Sequence, residues 1–160
     1  IETYCKAVAA APEAHCLWEQ LAVLHFLRMY RKYGIDVEYV QWYFRFYESL
    51  CFPGPGGPTR YTLTPVQAFQ FCSIYGFWHQ ERRVVREAVL YVPRKFSKTT
   101  SSAAFAVWDL LFGDANAESY TGANSADQAK KCFDVIRTCV QHIDPGERRF
   151  AVNEQTIKSR

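Results

Sequence analysis

The residues with most to offer chemically are Val92-Pro93-Arg94-Lys95-Phe96-Ser97-Lys98-Thr99-Thr100. The short apolar run Ala88 to Val92 precedes them, with strand character closed by Pro93. From Lys98 onward Ala104, Val107, Trp108 and Leu111 recur at helical spacing as far as Gly113. A basic loop between a strand and a helix is where phosphate is commonly held. The helix N-terminus there presents free N–H groups and a partial positive charge. The usual phosphate-loop pattern is G-x-x-x-x-G-K-[ST]. Lys98-Thr99 fill its last two positions, while Val92 and Ser97 stand where it has glycines. The competing reading is a basic, proline-started turn in which Ser97 is an ordinary N-cap and Lys98 a solvated lysine.

The elements that must position this loop follow from the hydrophobic pattern. Pro12 suits a first helical position, and Leu17, Leu21, Leu24 and Leu27 follow at helical steps. Arg28, Arg31 and Lys32 then complement the helix dipole, and Gly34 supplies a left-handed stop. Asp36 caps a second helix with Tyr39, Tyr43, Phe46 and Leu50 on one face. The stretch from Pro53 to Pro58 holds only proline and glycine and reads as a loop. Thr64-Pro65-Val66-Gln67 is a capping box with proline at the first position, and its helix is expected to run to about Glu81. Ser119-Tyr120-Thr121 reads as a second strand, and Arg149 to Val152 begins a third. Between them Ser125-Ala126-Asp127-Gln128 opens an amphipathic helix through Ala129, Cys132, Phe133, Ile136 and Val140. Strands alternating with helices imply a parallel α/β sheet.

Composition bounds the rest. Hydrophobic residues make up 49% of 160, so a core is affordable and disorder is excluded. A net charge of +3 is too small to announce nucleic-acid binding by itself. No apolar run is long enough for a membrane span, and the start Ile1-Glu2-Thr3-Tyr4 lacks the features of a secretory signal. Six cysteines without a C-x-x-C pair argue against zinc and for reduced, structural thiols. The four histidines show no partner spacing and take no catalytic role.

Four segments in order then resemble one family. These are Leu63-Thr64-Pro65-Val66-Gln67, the basic lead-in Arg82 to Ala88, the loop Pro93-Arg94-Lys95 with Lys98-Thr99, and Ser119 to Ala129. Together they resemble the ATPase domain of the large terminase subunits of tailed bacteriophages, whose loop reads P-R-K-x-G-K-[ST]. The likeness runs from Thr64 to about Gln155. It implies an α/β, P-loop NTPase-type parallel sheet, incomplete in this chain and preceded by an α-helical segment. Residues 1–58 are then a helical, aromatic-rich segment ending in the Pro/Gly loop, and 59–160 the first part of a P-loop ATPase domain. The resemblance also implies a viral motor that packages dsDNA into capsids using ATP and Mg²⁺, with a nuclease domain elsewhere. Its partners would be dsDNA, a small terminase subunit, a portal ring and sister subunits in a homo-oligomeric ring, in the host cytoplasm.

Phosphate chemistry then gives the residues roles. Backbone N–H groups from Phe96 to Thr99 would cradle the β-phosphate, Lys98 would bridge β and γ oxygens, and Thr99 would ligate Mg²⁺. Lys95, Ser97 and Thr100 complete the nucleotide-binding loop. The resemblance implies charge stabilisation on the γ-phosphate by Arg94, and adenine contact by Gln67; a capping-box glutamine otherwise needs no ligand. No residue is assigned to DNA. Two other classes stay open: a helical interaction module with a degenerate, non-binding loop, and another P-loop translocase or helicase. The family's acidic catalytic strand is expected beyond Arg160. Hence purified 160-residue chain should show no appreciable ATPase activity in a phosphate-release assay. Turnover that disappears in Lys98→Ala would place the acidic residues inside the chain.

Overall fold

The computed structural model describes residues 1–113 and 118–159. The chain divides into two units, Ile1–Arg45 with Thr62–Val89, and Phe46–Tyr61 with Leu90–Arg160. In chain order the helices are α1 (Glu2–Ala10), α2 (Leu17–Tyr33), α3 (Val37–Ser49), α4 (Pro65–Tyr75), α5 (Lys98–Phe112) and α6 (Ala126–Ile143). The described strands are β1 (Trp78–His79), β2 (Arg82–Arg83), β3 (Phe150–Val152) and β4 (Ile157–Ser159).

In the first unit α1, α2 and α4 enclose Tyr4, Cys5, Val8, Val23, Phe26, Phe69 and Cys72 together with Val40 and Phe77. Aromatic rings carry much of this core. Phe26 lies 5.2 Å from Phe69 and 5.4 Å from Phe77 between centroids, and Tyr4 lies 4.9 Å from Phe69. Asp36 caps α3 as expected, its Oδ1 accepting from Tyr39 N at 2.9 Å. Gly34, at φ 71°, ends α2 in the left-handed region.

Two expectations for this unit need correction. Pro12 opens a short 3-10 turn, Pro12–Ala14, and α2 starts only at Leu17. That helix buries Val23 and Phe26, while Leu17, Leu21, Leu24 and Leu27 face outward. The helix from Pro65 stops at Tyr75, well short of Glu81. A side chain at Gly76 would place its Cβ 2.6 Å from the Cys72 carbonyl, so the close approach there requires glycine. Gln80 and Glu81 then adopt positive φ, 49° and 61°, and turn the chain into the β1–β2 hairpin.

In the second unit α5 packs on α6. Ala103, Ala104, Val107 and Trp108 are buried from α5, and Ile136, Cys139 and Val140 from α6. Small residues on α5 bring the helices close, and Trp108 fills the space beside Phe46 at 5.0 Å. Cys139 Sγ donates to the Cys51 carbonyl at 3.3 Å, tying α6 to the start of the Pro/Gly segment. Burial pushes the Cys72 and Cys139 thiols up to about 12, and all six cysteines are free. Four of them, Cys5, Cys51, Cys72 and Cys139, are buried and behave as small hydrophobes.

The expected parallel sheet is absent among the described residues. Two antiparallel two-stranded hairpins, β1–β2 and β3–β4, replace it. The runs Ala88–Val92 and Ser119–Thr121 are irregular, with Val89 92% and Tyr91 99% exposed. A parallel strand is held by the ladder to its neighbour, and among the described residues no ladder joins either run to another segment. The third expected strand exists as β3, but it pairs back on β4 through Phe150↔Ser159 and Val152↔Ile157.

Asp144 anchors the turn from α6 into β3. Its carboxylate accepts from the N–H groups of Arg149 at 2.7 Å, Phe150 at 3.0 Å and Arg148 at 3.0 Å. The Arg149 bond first, then those from Phe150 and Arg148, hold this carboxyl below the ordinary aspartate range against the opposing effect of burial. A lowered folded-state pKa gives stability that is present above the unfolded value of about 3.9 and lost as pH falls through the folded value. Asp144→Asn should therefore melt below wild type at about pH 7, with the gap closing below about pH 4. Thermal unfolding followed across that range checks it; a constant gap would mean the charge is not what holds the turn.

Candidate phosphate-binding site

Helix N-termini leave their first N–H groups without main-chain partners, and the described helices handle this in two ways. Ser125 Oγ accepts from Gln128 N at 3.3 Å at the start of α6. At α4, Thr64 Oγ1 accepts from Gln67 N at 3.3 Å, and Gln67 Oε1 accepts from Thr64 N at 3.0 Å and from the Thr64 hydroxyl at 2.9 Å. The α5 start has no side-chain cap. Ser97 occupies the N-cap position in the left-handed region, φ 53° and ψ 26°, where a capping residue is normally β-like. Its carbonyl accepts from Ser101 N at 2.9 Å and from the Thr100 hydroxyl at 2.8 Å, while its own hydroxyl caps nothing. The ordinary N-cap reading of Ser97 is thereby corrected.

α1 and α2 also begin without a side-chain cap. What separates α5 is the charge and curvature around it. Lys95 is left-handed as well, at φ 66°, so two of three successive loop residues have the backbone from which anion-binding nests are made. Lys98 Nζ donates to the Val92 carbonyl at 3.0 Å, closing the loop from its last residue to its first. Arg94, Lys95 and Lys98 are exposed, and none forms an ion pair among the described residues. The partner of Lys98 is therefore a neutral carbonyl. A phosphate oxygen carries negative charge and so attracts the ammonium more strongly than a neutral carbonyl, and can take it from Val92.

Phe96 and Thr100 are half-buried, and Thr99 is exposed on the first turn of α5. Within the second unit the structure thus places Arg94 through Thr100 on one loop-to-helix segment. Gln67 lies in the first unit, only 7% exposed, with its Oε1 held by Thr64. Among the described residues no group of three His, Cys, Asp or Glu side chains gathers as a metal site. A Mg²⁺ here would be held through the Thr99 hydroxyl and the phosphates it accompanies. Two contributors had no side-chain signature in the sequence. The Val92 carbonyl is a main-chain atom, and the left-handed turn at Lys95 falls on a residue type that gives no warning of it.

A family model described as the terminase large subunit ATPase domain matches residues 65–160. The chain belongs to this terminase family. The match begins at the first residue of α4 and includes the whole candidate loop, which therefore lies within a terminase ATPase region. No curated protein and no solved structure matches the chain. No described helix is long and apolar enough to cross a membrane. Ser97, directly before the loop lysine, holds the left-handed conformation that glycine favours.

Capping and conformation can be separated by mutation. Thr64→Ala and Ser125→Ala should each cost about 1 kcal/mol, since each removes a cap. Ser97→Ala should change stability by less than about 0.5 kcal/mol, because the hydroxyl caps nothing. Ser97→Gly should raise the melting temperature, relieving about 1 kcal/mol of left-handed strain, partly offset by unfolded-chain entropy. Calorimetric melting of the four variants checks the order. Ser97→Ala falling as far as Thr64→Ala would restore the ordinary cap.

Proposed function

We propose that the chain supplies the ATP-binding part of a viral terminase motor that drives dsDNA into capsids. The observation that supports this most directly is the start of α5, uncapped and carrying exposed cations that form no ion pair among the described residues, inside the terminase ATPase match. The β-phosphate sits on the N–H groups from Phe96 to Thr99, where the helix dipole favours negative charge. Lys98 leaves the Val92 carbonyl and bridges β and γ oxygens, and Thr99 offers its hydroxyl to Mg²⁺. Mg²⁺, when bound, neutralises charge that develops on the transferring phosphoryl group. Arg94 adds a second cation toward the γ-phosphate, useful because transition-state charge spreads over the equatorial oxygens. Gln67 contacts the adenine, as its place in the resembling segment implies.

The same reading assigns the longer protein a nuclease domain and, as partners, dsDNA, a small terminase subunit, a portal ring and sister subunits, at work in the host cytoplasm. Calorimetric titration with a non-hydrolysable ATP analogue and Mg²⁺ tests the site. Lys98→Ala should weaken binding by roughly 30-fold or more, the loss expected for a charge-assisted bond. Thr99→Ala should remove the Mg²⁺-dependent part of the affinity. Gln67→Ala should bring adenosine and uridine analogues to equal affinity while also lowering the melting temperature. No heat from wild type, or equal heat from Lys98→Ala, would leave a helical interaction module with a non-binding loop.

A further inference from the structure

The outward face of α2 is divided along its length. Leu17, Leu21 and Leu24 recur at steps of four and three, and Arg28, Arg31 and Lys32 continue the same line toward the C-terminus. At 3.6 residues per turn these six lie within about 100° of arc. Leu17 is 64% exposed, and Trp18 beside it is 76% exposed. The opposite face is spent on the core through Val23 and Phe26. The one acid of α2, Glu19, is turned away to Tyr4 and His15, its Oε2 2.9 Å from His15 Nδ1. Arg28 and Arg31 make no ion pair among the described residues, and Lys32 rests 4.9 Å from the Tyr33 ring centroid. Exposed leucines in a line with a tryptophan mark contact surfaces, and Trp and Arg are the residue types that dominate binding hot spots.

We propose that this face of α2 docks one amphipathic helix of a partner protein. That helix sets leucine-type residues against Leu17, Trp18, Leu21 and Leu24 and carboxylates against Arg28, Arg31 and Lys32. Charge complementarity selects the occupant. In an antiparallel pair of two copies the apolar half of each α2 would face the cations of the other, and in a parallel pair like charges would meet. A lipid surface suits a helix whose cations lie around the axis from its apolar face, not beyond it along the same face. Nucleic acid would leave the leucines idle. The inference concerns the first unit and does not depend on nucleotide binding.

The test uses two fluorescent synthetic helices, leucine-faced in one half and glutamate-faced in the other, in both orders, with lysine-for-glutamate versions as controls. Anisotropy should show the wild-type chain binding a glutamate peptide, more weakly as salt rises, and not its lysine version. Leu21→Ser with Leu24→Ser should weaken binding roughly tenfold or more at an unchanged melting temperature. Arg28→Glu with Arg31→Glu should switch the preference to the lysine peptide. Failure of both peptides, equal binding of the two charges, or a wild-type dimer that Leu21→Ser dissolves would each overturn the proposal.

Discussion

One uncapped helix start sets the chemistry of the second unit. The N–H groups at the head of α5 have no side-chain cap because Ser97 sits in the left-handed region, where its hydroxyl does not reach back. That conformation costs a non-glycine residue roughly 1–2 kcal/mol, and Lys95 adds a second instance two residues earlier. Such strain persists only where surrounding structure over-determines it. Here the determinant is the α5–α6 contact. Ala103, Ala104, Val107 and Trp108 fix the axis of α5, and Asp144 fixes the other end of α6 by gathering three N–H groups. The loop bends because the helix after it cannot move.

The consequence is electrostatic. Partial positive charge at the helix start, three exposed cations and a backbone prone to nests all favour an anion of high charge density. The Lys98–Val92 bond is suited to being exchanged, since its acceptor is neutral and the site lies at the surface. α4 shows the contrast. Its capping box satisfies the same kind of N–H groups internally, so Gln67 contributes to stability before any ligand is considered.

How much of this was legible in the sequence depends on whether the cause was local. The capping box at Thr64, the Ser125 and Asp36 caps and the left-handed stop at Gly34 were all readable, because each is decided by neighbours within a turn. The order of motifs also pointed to the terminase family that the family match shows. The candidate loop was visible as a residue pattern, but the left-handed state of Ser97 was not, since serine reads first as a cap. Strands were over-read at Ala88–Val92 and Ser119–Thr121, because apolar β-prone residues say nothing about whether a neighbour will pair with them. The leucines of α2 make a related point. Periodicity identifies a helix and an apolar face, and only packing decides which face the core uses.

The central claim is that free N–H groups at the start of α5 receive phosphate. Amide chemical-shift mapping of the chain during titration with inorganic pyrophosphate reads those groups one by one. The largest shifts should fall on the amides from Phe96 to Thr100, saturating together, with the capped starts at Gln67 and Gln128 unmoved. Shifts scattered over surface lysines and arginines without saturation, or an unchanged Phe96–Thr100 segment, would contradict it.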